Sequence, residues 1–262
     1  MSTAPPSPTD VTGPDGTPVR VYVTPGAADA VPVVLVHGLG SDAFVNWEQA
    51  GWLRSLRATG RPLIRLDQRG HGGSGAPHDP AAYRLPLLVG DLAAVVASTV
   101  GAGRPVDAIG YSLGSRVLLE YLATPGMPAP VRRLVLGGSA GQPLLQGFDP
   151  DLVDRALGGG PVPAHAETAR IARTIAALPG NDERALAALV RGLHTDPAAV
   201  RRAPDPAVPT LVAVGTDDPL HDPARAWTAG LPAATFVGLP GRTHVSAVPS
   251  GVFRSAAVAF LG

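Results

Sequence analysis

One serine lies in a glycine-flanked pentapeptide, a setting that suits nucleophilic catalysis. Residues 110–114 read GYSLG, which fits the pattern G-x-S-x-G, and they separate a predicted strand from a predicted helix. Such a tight turn leaves no room for side chains at Gly110 and Gly114, and it projects the Ser112 hydroxyl above the edge of a sheet. The pentapeptide alone also fits a serine that caps a helix. The strand-turn-helix context favours the nucleophile.

A neutral serine hydroxyl needs a base, and the base needs an acid that orients it. Two later loops supply these groups, because Asp218 follows a predicted strand at 210–214 and His244 follows another at 235–237. Loops after the carboxyl ends of strands build the sites of open α/β sheets. We therefore predict Ser112 as the nucleophile, His244 as the base and Asp218 as the orienting acid.

The acid and the base each have a rival. Asp217 is adjacent to Asp218, and both carboxylates could instead be turn residues before Pro219. His221 lies on the same loop as Asp218 and is the main rival as base, while His244 could merely cap the last helix. We favour His244 because it alone among the histidines follows the final predicted strand, from which it can approach the serine from a separate loop.

A tetrahedral intermediate also needs hydrogen-bond donors for its negative oxygen. We expect one donor to be the backbone N–H of Leu113, directly after the serine. The second should be the N–H of Leu39 in residues 37–40 (HGLG), which we call the oxyanion segment. His37 would then brace this segment by hydrogen bonds rather than transfer protons. As a hypothesis we also place Trp47 against the substrate, although an aromatic residue on a helix face is more often part of a core.

Composition excludes several classes of function. The chain has no cysteine, which excludes disulfides, thiolate catalysis and Cys-based zinc sites. The formal net charge is zero, so no overall field attracts nucleic acid or an anionic membrane surface. No apolar run approaches the about 20 residues of a membrane span, and the first residues do not resemble a secretory signal. We expect a cytoplasmic protein that binds a small-molecule substrate and neither nucleic acid nor membrane; the sequence does not predict its oligomeric state.

A second glycine-rich stretch imitates a nucleotide-binding motif. Residues 70–75 read GHGGSG and match G-x-G-x-x-G, but a dinucleotide site needs a helix that opens directly at the last glycine. Pro77 and Pro80 prevent that helix. We therefore predict a rigid loop without a cofactor, in which Asp67 and Arg69 form an ion pair.

Short apolar runs alternate with helix-period stretches, which is typical of a mostly parallel α/β sheet covered by helices. A hairpin with its turn at residues 15–16 opens the chain. Strands are predicted at 19–23, 31–36, 63–66, 106–110, 131–136, 210–214 and 235–237. Helices are predicted at 46–58, 85–100 and 247–260; a further helix follows the GYSLG turn and ends at about 123, and another begins at about 223.

Residues 141–206, which we call the cap segment, differ because three helical segments follow one another without a strand. One begins at Asp149, and the apolar stripes of the others are Ile171, Ile175 and Leu178, then Leu186, Leu189, Val190 and Leu193. We divide the chain into a flexible tail at 1–8, an α/β core at 9–140 and 207–262, and a helical cap insertion at 141–206.

Together these features resemble the serine α/β-hydrolase family over about residues 15–262. The likeness rests, in the family's order, on His37-Gly38, residues 67–74, residues 110–114, residues 215–218 and His244. It implies an eight-stranded, mostly parallel sheet flanked by helices, with the cap after the sixth strand. It also implies the roles given above to Ser112, His244, Asp218, Leu39 and Leu113. The serine departs from the aspartate nucleophile of the dehalogenase and epoxide-hydrolase branches, and Ser115 stands where many relatives have a further glycine.

The reaction implied is acyl transfer to Ser112 followed by hydrolysis, with no metal and no organic cofactor. The Ala- and Leu-rich cap segment would roof the site with apolar surface, which favours a small, apolar carboxylic ester, thioester or lactone. Two alternatives stay open. A cofactor-free C–C bond hydrolase or perhydrolase would use the same residues, and a non-catalytic small-ligand receptor would keep the fold and the pocket.

Overall fold

A computed structural model describes residues 7–145, 149–161, 168, 172–173 and 180–262. Eight strands form one sheet in the order β1-β2-β4-β3-β5-β6-β7-β8. β1 and β2 pair antiparallel with their neighbours, and the remaining neighbours are parallel. The strands are β1 Thr9–Thr12, β2 Pro18–Thr24, β3 Val33–Val36, β4 Leu63–Leu66, β5 Val106–Tyr111, β6 Val131–Gly137, β7 Thr210–Gly215 and β8 Ala234–Leu239. The predicted opening hairpin and the mostly parallel sheet are confirmed.

Helices cover both faces of this sheet. Those in the described part of the chain are α1 Trp52–Arg57, α2 Leu85–Thr99, α3 Leu113–Ala123, α4 Pro150–Leu157, α5 Glu183–Thr195, α6 His221–Ala229 and α7 Gly251–Leu261. One core lies between the sheet and α2, α3 and α6, and the other lies between the sheet and α1 and α7. Successive side chains of a strand point to opposite faces, so in β7 Leu211 and Ala213 enter the second core while Val212 and Val214 enter the first.

The helix predicted at 46–58 is in fact two pieces. A π-helical turn at Phe44–Gln49 is followed by α1, and Gly51 separates them with φ at +83°. A left-handed residue cannot continue a right-handed helix, so the chain changes direction there. The last helix also begins later than expected, because the Ser250 hydroxyl caps it by accepting the Phe253 N–H at 3.4 Å.

The predicted Asp67–Arg69 ion pair is wrong. The Arg69 guanidinium is buried and binds Asp91 at 2.6 Å and Asp15 at 2.7 Å instead. Asp67 accepts hydrogen bonds from the Tyr22 hydroxyl and from backbone N–H groups. The two side chains brace one loop against different neighbours, because Arg69 joins α2 to the opening hairpin while Asp67 holds the turn after β3.

Two helices, α4 and α5, lie in the described part of the cap segment. α4 begins at the predicted cap Asp149, and α5 carries the predicted stripe of Leu186, Leu189, Val190 and Leu193. The stripe of Ile171, Ile175 and Leu178 and residues 1–6 of the predicted tail lie outside the described residues. Val153, Ala156, Leu157, Ala172, Leu186 and Val190 form a separate apolar group, which we call the cap cluster. Across the described ranges, helices of bilayer-spanning length and apolar character are absent.

Candidate active site

The turn between β5 and α3 holds Ser112 in a strained conformation. Its φ is +49° and its ψ is −111°, a combination that L-residues rarely adopt outside functional sites. A Cβ added at Gly110 would lie 2.7 Å from the Ser115 Cα, and one added at Gly114 would lie 2.1 Å from the Val36 carbonyl oxygen. Both glycines are therefore needed for the turn that raises the serine above the sheet.

Ser112, His244 and Asp218 form one hydrogen-bonded chain. The Ser112 Oγ lies 3.0 Å from His244 Nε2, and His244 Nδ1 lies 2.7 Å from Asp218 Oδ2. The other carboxylate oxygen accepts the Leu220 N–H at 3.0 Å, and the Asp218 side chain is only 2% exposed. Because Nδ1–H donates to the carboxylate, Nε2 is left with a lone pair directed at the serine hydroxyl.

The two rival residues, Asp217 and His221, lie outside this hydrogen-bonded chain. Asp217 is exposed and accepts a hydrogen bond from the Thr216 hydroxyl at 3.1 Å. His221 begins α6, where its Nδ1 is 2.9 Å from the Asp222 carboxylate. The structure thus brings Asp218, rather than Asp217, to His244.

Tyr111 supports the loop that carries His244, a role that the sequence reasoning missed. Its hydroxyl donates a hydrogen bond to the His244 backbone carbonyl, and its ring centre lies 5.6 Å from the imidazole. Burial, and to a lesser degree the charge of Asp218, raises the pKa of this phenol far above its ordinary value. Tyr111 therefore remains a neutral donor. Its place beside the serine in GYSLG was the one available signal.

The two predicted oxyanion donors lie on segments that meet at Ser112. Leu113 is the first residue of α3, where backbone N–H groups have no acceptor within the helix. The oxyanion segment passes close by, because a Cβ added at Gly38 would lie 3.4 Å from the Ser112 Cβ. Leu39 follows Gly38 directly, so its N–H belongs to the strip of backbone beside the serine.

Two neutral imidazoles hold the oxyanion segment from below. His37 Nε2 accepts the Gln68 N–H and His71 Nε2 accepts the Gly40 N–H, both at 2.9 Å. Burial lowers the pKa of His37 to about 4. Burial and the neighbouring His37 lower that of His71 to about 3. Both rings are therefore uncharged at neutral pH and can accept, which agrees with the bracing role expected of His37.

The hypothesis that Trp47 contacts substrate is wrong. Its side chain has no exposed surface, and its ring packs edge-on against Trp52 at 5.5 Å between centres. Trp52 in turn packs against Phe253 at 4.7 Å. Trp47 is therefore part of the core between the sheet and helices α1 and α7. The apolar contact between the oxyanion segment and the cap segment is made by Leu39, which packs against the cap cluster as Leu145 does.

Comparisons with known proteins bear on the fold of the chain. A family model described as alpha/beta hydrolase fold matches residues 31–162. The chain is 35% identical over 116 residues to the "Probable oxidoreductase EphD" of Mycobacterium tuberculosis (strain ATCC 25618 / H37Rv). That match covers 44% of this chain and 19% of the relative, so the chain corresponds to a minor part of that protein.

Two solved structures align along almost the whole chain. The bottromycin epimerase BotH, solved with bottromycin A2, has a TM-score of 0.73 at 23% identity and covers 97% of this chain and 100% of its own. The esterase RhEst1 from Rhodococcus sp. ECU1013 has a TM-score of 0.68 at 25% identity and covers 98% and 99%. The matched family model, the eight-stranded sheet and these alignments lead to one conclusion: the chain belongs to the α/β-hydrolase fold family.

Proposed function

We propose that this protein is a serine hydrolase that forms an acyl-enzyme on a small, apolar carboxylic ester, thioester or lactone. The observation that carries the proposal is the chain of contacts from Ser112 through His244 to Asp218, at 3.0 Å and 2.7 Å. This order of hydroxyl, imidazole and carboxylate is what nucleophilic acyl transfer requires.

In the first half of the reaction, the Ser112 Oγ attacks the carbonyl carbon while its proton moves to His244 Nε2. The carbonyl oxygen becomes an oxyanion, which accepts hydrogen bonds from the N–H groups of Leu39 and Leu113. The C–O or C–S bond to the leaving group then breaks, and His244 returns the proton to that group. An acyl ester on Ser112 remains.

In the second half, water replaces the departed group. His244 removes one proton from the water, whose oxygen attacks the acyl carbon, and the same proton then returns to the Ser112 oxygen as the bond to it breaks. The products are a carboxylic acid and the free enzyme. Asp218 acts by holding His244 in the required tautomer and by stabilising the imidazolium, an attraction strengthened because the carboxylate is buried.

The apolar preference is inferred from what covers the oxyanion segment. The Leu39 side chain packs against the cap cluster, so the surface beside the predicted oxyanion donors is aliphatic. An apolar acyl or alcohol group would gain free energy by burial there. The esterase activity named for RhEst1 is consistent with this class, whereas the name of BotH shows that the same fold also serves other chemistry.

The test is a panel of p-nitrophenyl acetate, butyrate and octanoate, matching thioesters, and small lactones. We expect turnover by the wild-type protein, with a loss of about 10⁴-fold or more in Ser112→Ala. Ser115→Ala is the matched control, because it removes a buried hydroxyl of the same helix that donates to the Gly137 carbonyl at 3.0 Å. Equal rates in Ser112→Ala and wild type would contradict the proposal, and ligand binding without turnover would favour a receptor.

A further inference from the structure

The backbone on both sides of Leu39 is held by hydrogen bonds from several directions. The Gly40 N–H donates to His71 Nε2 at 2.9 Å, and the Gly40 carbonyl accepts from Asn181 Nδ2 at 2.7 Å. Gly40 itself has φ at +73°, a left-handed conformation that its lack of a side chain permits. The residue after Leu39 is thus fixed at both of its polar backbone groups.

The other side of Leu39 is held in the same way. The His37 carbonyl accepts from Gln68 Nε2 at 2.6 Å, and the Gly38 N–H donates to Asn46 Oδ1 at 3.3 Å. The Gly38 carbonyl accepts the Ser41 N–H at 3.2 Å. All of these partners belong to the α/β core, residues 9–140 and 207–262. Asn181, by contrast, lies in the cap segment, 141 residues from Gly40.

The chain around Asn181 is anchored independently. The next residue, Asp182, caps α5 by accepting the N–H groups of Arg184 and Ala185. Its carboxylate also lies 2.8 Å from His78 Nε2, a contact between the cap segment and the core. Asn181 therefore lies at the start of a fixed helix, which gives its amide a defined position from which to hold Gly40.

We propose that Asn181 is a positioning residue for the oxyanion site, and this inference rests on the proposed hydrolase function. By holding the Gly40 carbonyl from the cap side, it keeps the Leu39 N–H directed at the oxygen that becomes negative. Such donors act only when they lie about 2.7–3.1 Å from that oxygen, so a small rotation of the backbone weakens them. The seating of the cap segment and the stabilisation of the transition state are thereby linked.

If Asn181 positions the oxyanion site, its loss should change the kinetics in a way that loss of a residue that only anchors the cap segment would not. An interaction made chiefly in the transition state lowers kcat when it is lost and leaves KM nearly unchanged. Asn181→Ala should lower kcat about tenfold, less than the loss of a whole oxyanion donor, because the Leu39 N–H remains in place. Asn181→Gln retains the amide donor on a longer side chain and should recover part of the rate.

The experiment compares Asn181→Ala, Asn181→Gln and His78→Ala with wild type. His78→Ala is the matched control, since it breaks the neighbouring contact between cap and core and leaves the Asn181–Gly40 hydrogen bond in place. We would measure kcat and KM on the best ester, and the affinity for a trifluoromethyl ketone that forms a tetrahedral oxyanion on serine. Amide hydrogen exchange at Leu39 and Gly40 measures how firmly the backbone of the oxyanion segment is held, and it does not depend on turnover.

We expect Asn181→Ala to lose kcat and trifluoromethyl ketone affinity in parallel, with faster exchange at Gly40, and His78→Ala to change neither. Unchanged kcat and exchange in Asn181→Ala, beside an active wild type, would overturn this inference alone. An equal loss in His78→Ala would also overturn it, because cap seating would then explain the effect. A wild-type protein inactive on every ester would instead overturn the proposed function, and with it the inference.

Discussion

The histidines at the carboxyl edge of the sheet fall into two groups that differ in exposure and in hydrogen-bond partners. His37 and His71 lie beneath the oxyanion segment, fully buried, with ring centres 5.0 Å apart. Each accepts a backbone N–H. The His244 side chain is 37% exposed and lies between a carboxylate and a hydroxyl.

Burial explains why the two groups serve different purposes. Removal from water disfavours the charged imidazolium, so His37 and His71 stay neutral and remain acceptors over the physiological range. His244 is partly exposed and joins the Asp218 carboxylate to the Ser112 hydroxyl, which are the contacts that the proposed mechanism uses. The same type of side chain therefore accepts backbone N–H groups where it is enclosed, and contacts a carboxylate and a hydroxyl where it is accessible.

Removing the carboxylate beside the accessible His244 should have the largest effect on activity. Asp218→Asn should lower kcat about 10⁴-fold, because an amide no longer holds His244 in the correct tautomer or stabilises the imidazolium. Steady-state kinetics on the best ester measures the effect. Asp217→Asn is the control and should change the rate little, since Asp217 is exposed and contacts Thr216. The reverse pattern would assign the acid one residue earlier.

The buried pair should reveal itself through acid-dependent stability. An unfolded histidine has a pKa near 6.5, whereas folding lowers that of His37 to about 4 and that of His71 to about 3. Between these values the unfolded chain binds more protons, so the free energy of unfolding rises with pH up to about 6.5. Each histidine contributes a slope of about 1.4 kcal/mol per pH unit.

Urea denaturation at pH 5 and pH 7 measures that slope. The contribution of the two neutral histidines to the free energy of unfolding is fully present above pH 6.5, the pKa of an unfolded histidine. It is lost as the pH falls towards about 4, the pKa of folded His37. His71→Gln should reduce the slope by about half, because one of two protonation events is removed. Equal stability of the wild type at both pH values would contradict the neutral, buried state of the pair.

Trp47 is an enclosed ring like those of His37 and His71, and its substitution should have a smaller effect, on stability alone. Trp47→Phe should lower the free energy of unfolding by about 1–2 kcal/mol, because it leaves a gap beside Trp52 in a closely packed core. KM for the best ester should stay unchanged, since Trp47 has no exposed surface. A changed KM with unchanged stability would return Trp47 to the substrate site.

The smallest expected effect concerns the rival base. His221→Gln should leave kcat nearly unchanged, because the Ser112 hydroxyl is contacted by His244 whereas His221 contacts Asp222. His221 is the first residue of α6, where its imidazole contacts Asp222 and lies 5.4 Å from the ring of Phe236 in β8. Kinetics beside His244→Gln provides the comparison, and a larger loss in His221→Gln would exchange the two roles.

The central strands β3, β4, β5 and β7 were predictable because they are short apolar runs, buried on both faces of the sheet. β4 has the predicted bounds, and β5 and β6 each run one residue further. The split of the helix around Gly51 was not predictable, because a glycine inside a helical pattern is often tolerated. The partners of Arg69 could not be read either, since Asp15 and Asp91 are 54 and 22 residues away.

In the candidate site, too, some features could be predicted from the sequence and others could not. Ser112, Asp218 and His244 could be proposed because turns after successive strands meet at one edge of the sheet. The hydrogen bonds of Tyr111 to the His244 carbonyl and of Asn181 to the Gly40 carbonyl join side chains to backbone across the fold. The acceptor in such a contact cannot be read from the sequence, because every backbone carbonyl is the same acceptor, even where the donor, as with Tyr111 beside Ser112, lies in a recognisable motif.

Covalent trapping of Ser112 tests directly whether its hydroxyl is a nucleophile activated by His244. We would incubate the wild type, Ser112→Ala and His244→Gln with a fluorophosphonate and locate any adduct by peptide mass spectrometry. We expect rapid labelling at Ser112 in the wild type and none at position 112 in Ser112→Ala. Labelling should be strongly slowed in His244→Gln, because the hydroxyl then lacks its base. A wild-type protein that stays unlabelled at Ser112, or that labels equally fast without His244, would contradict this role of Ser112.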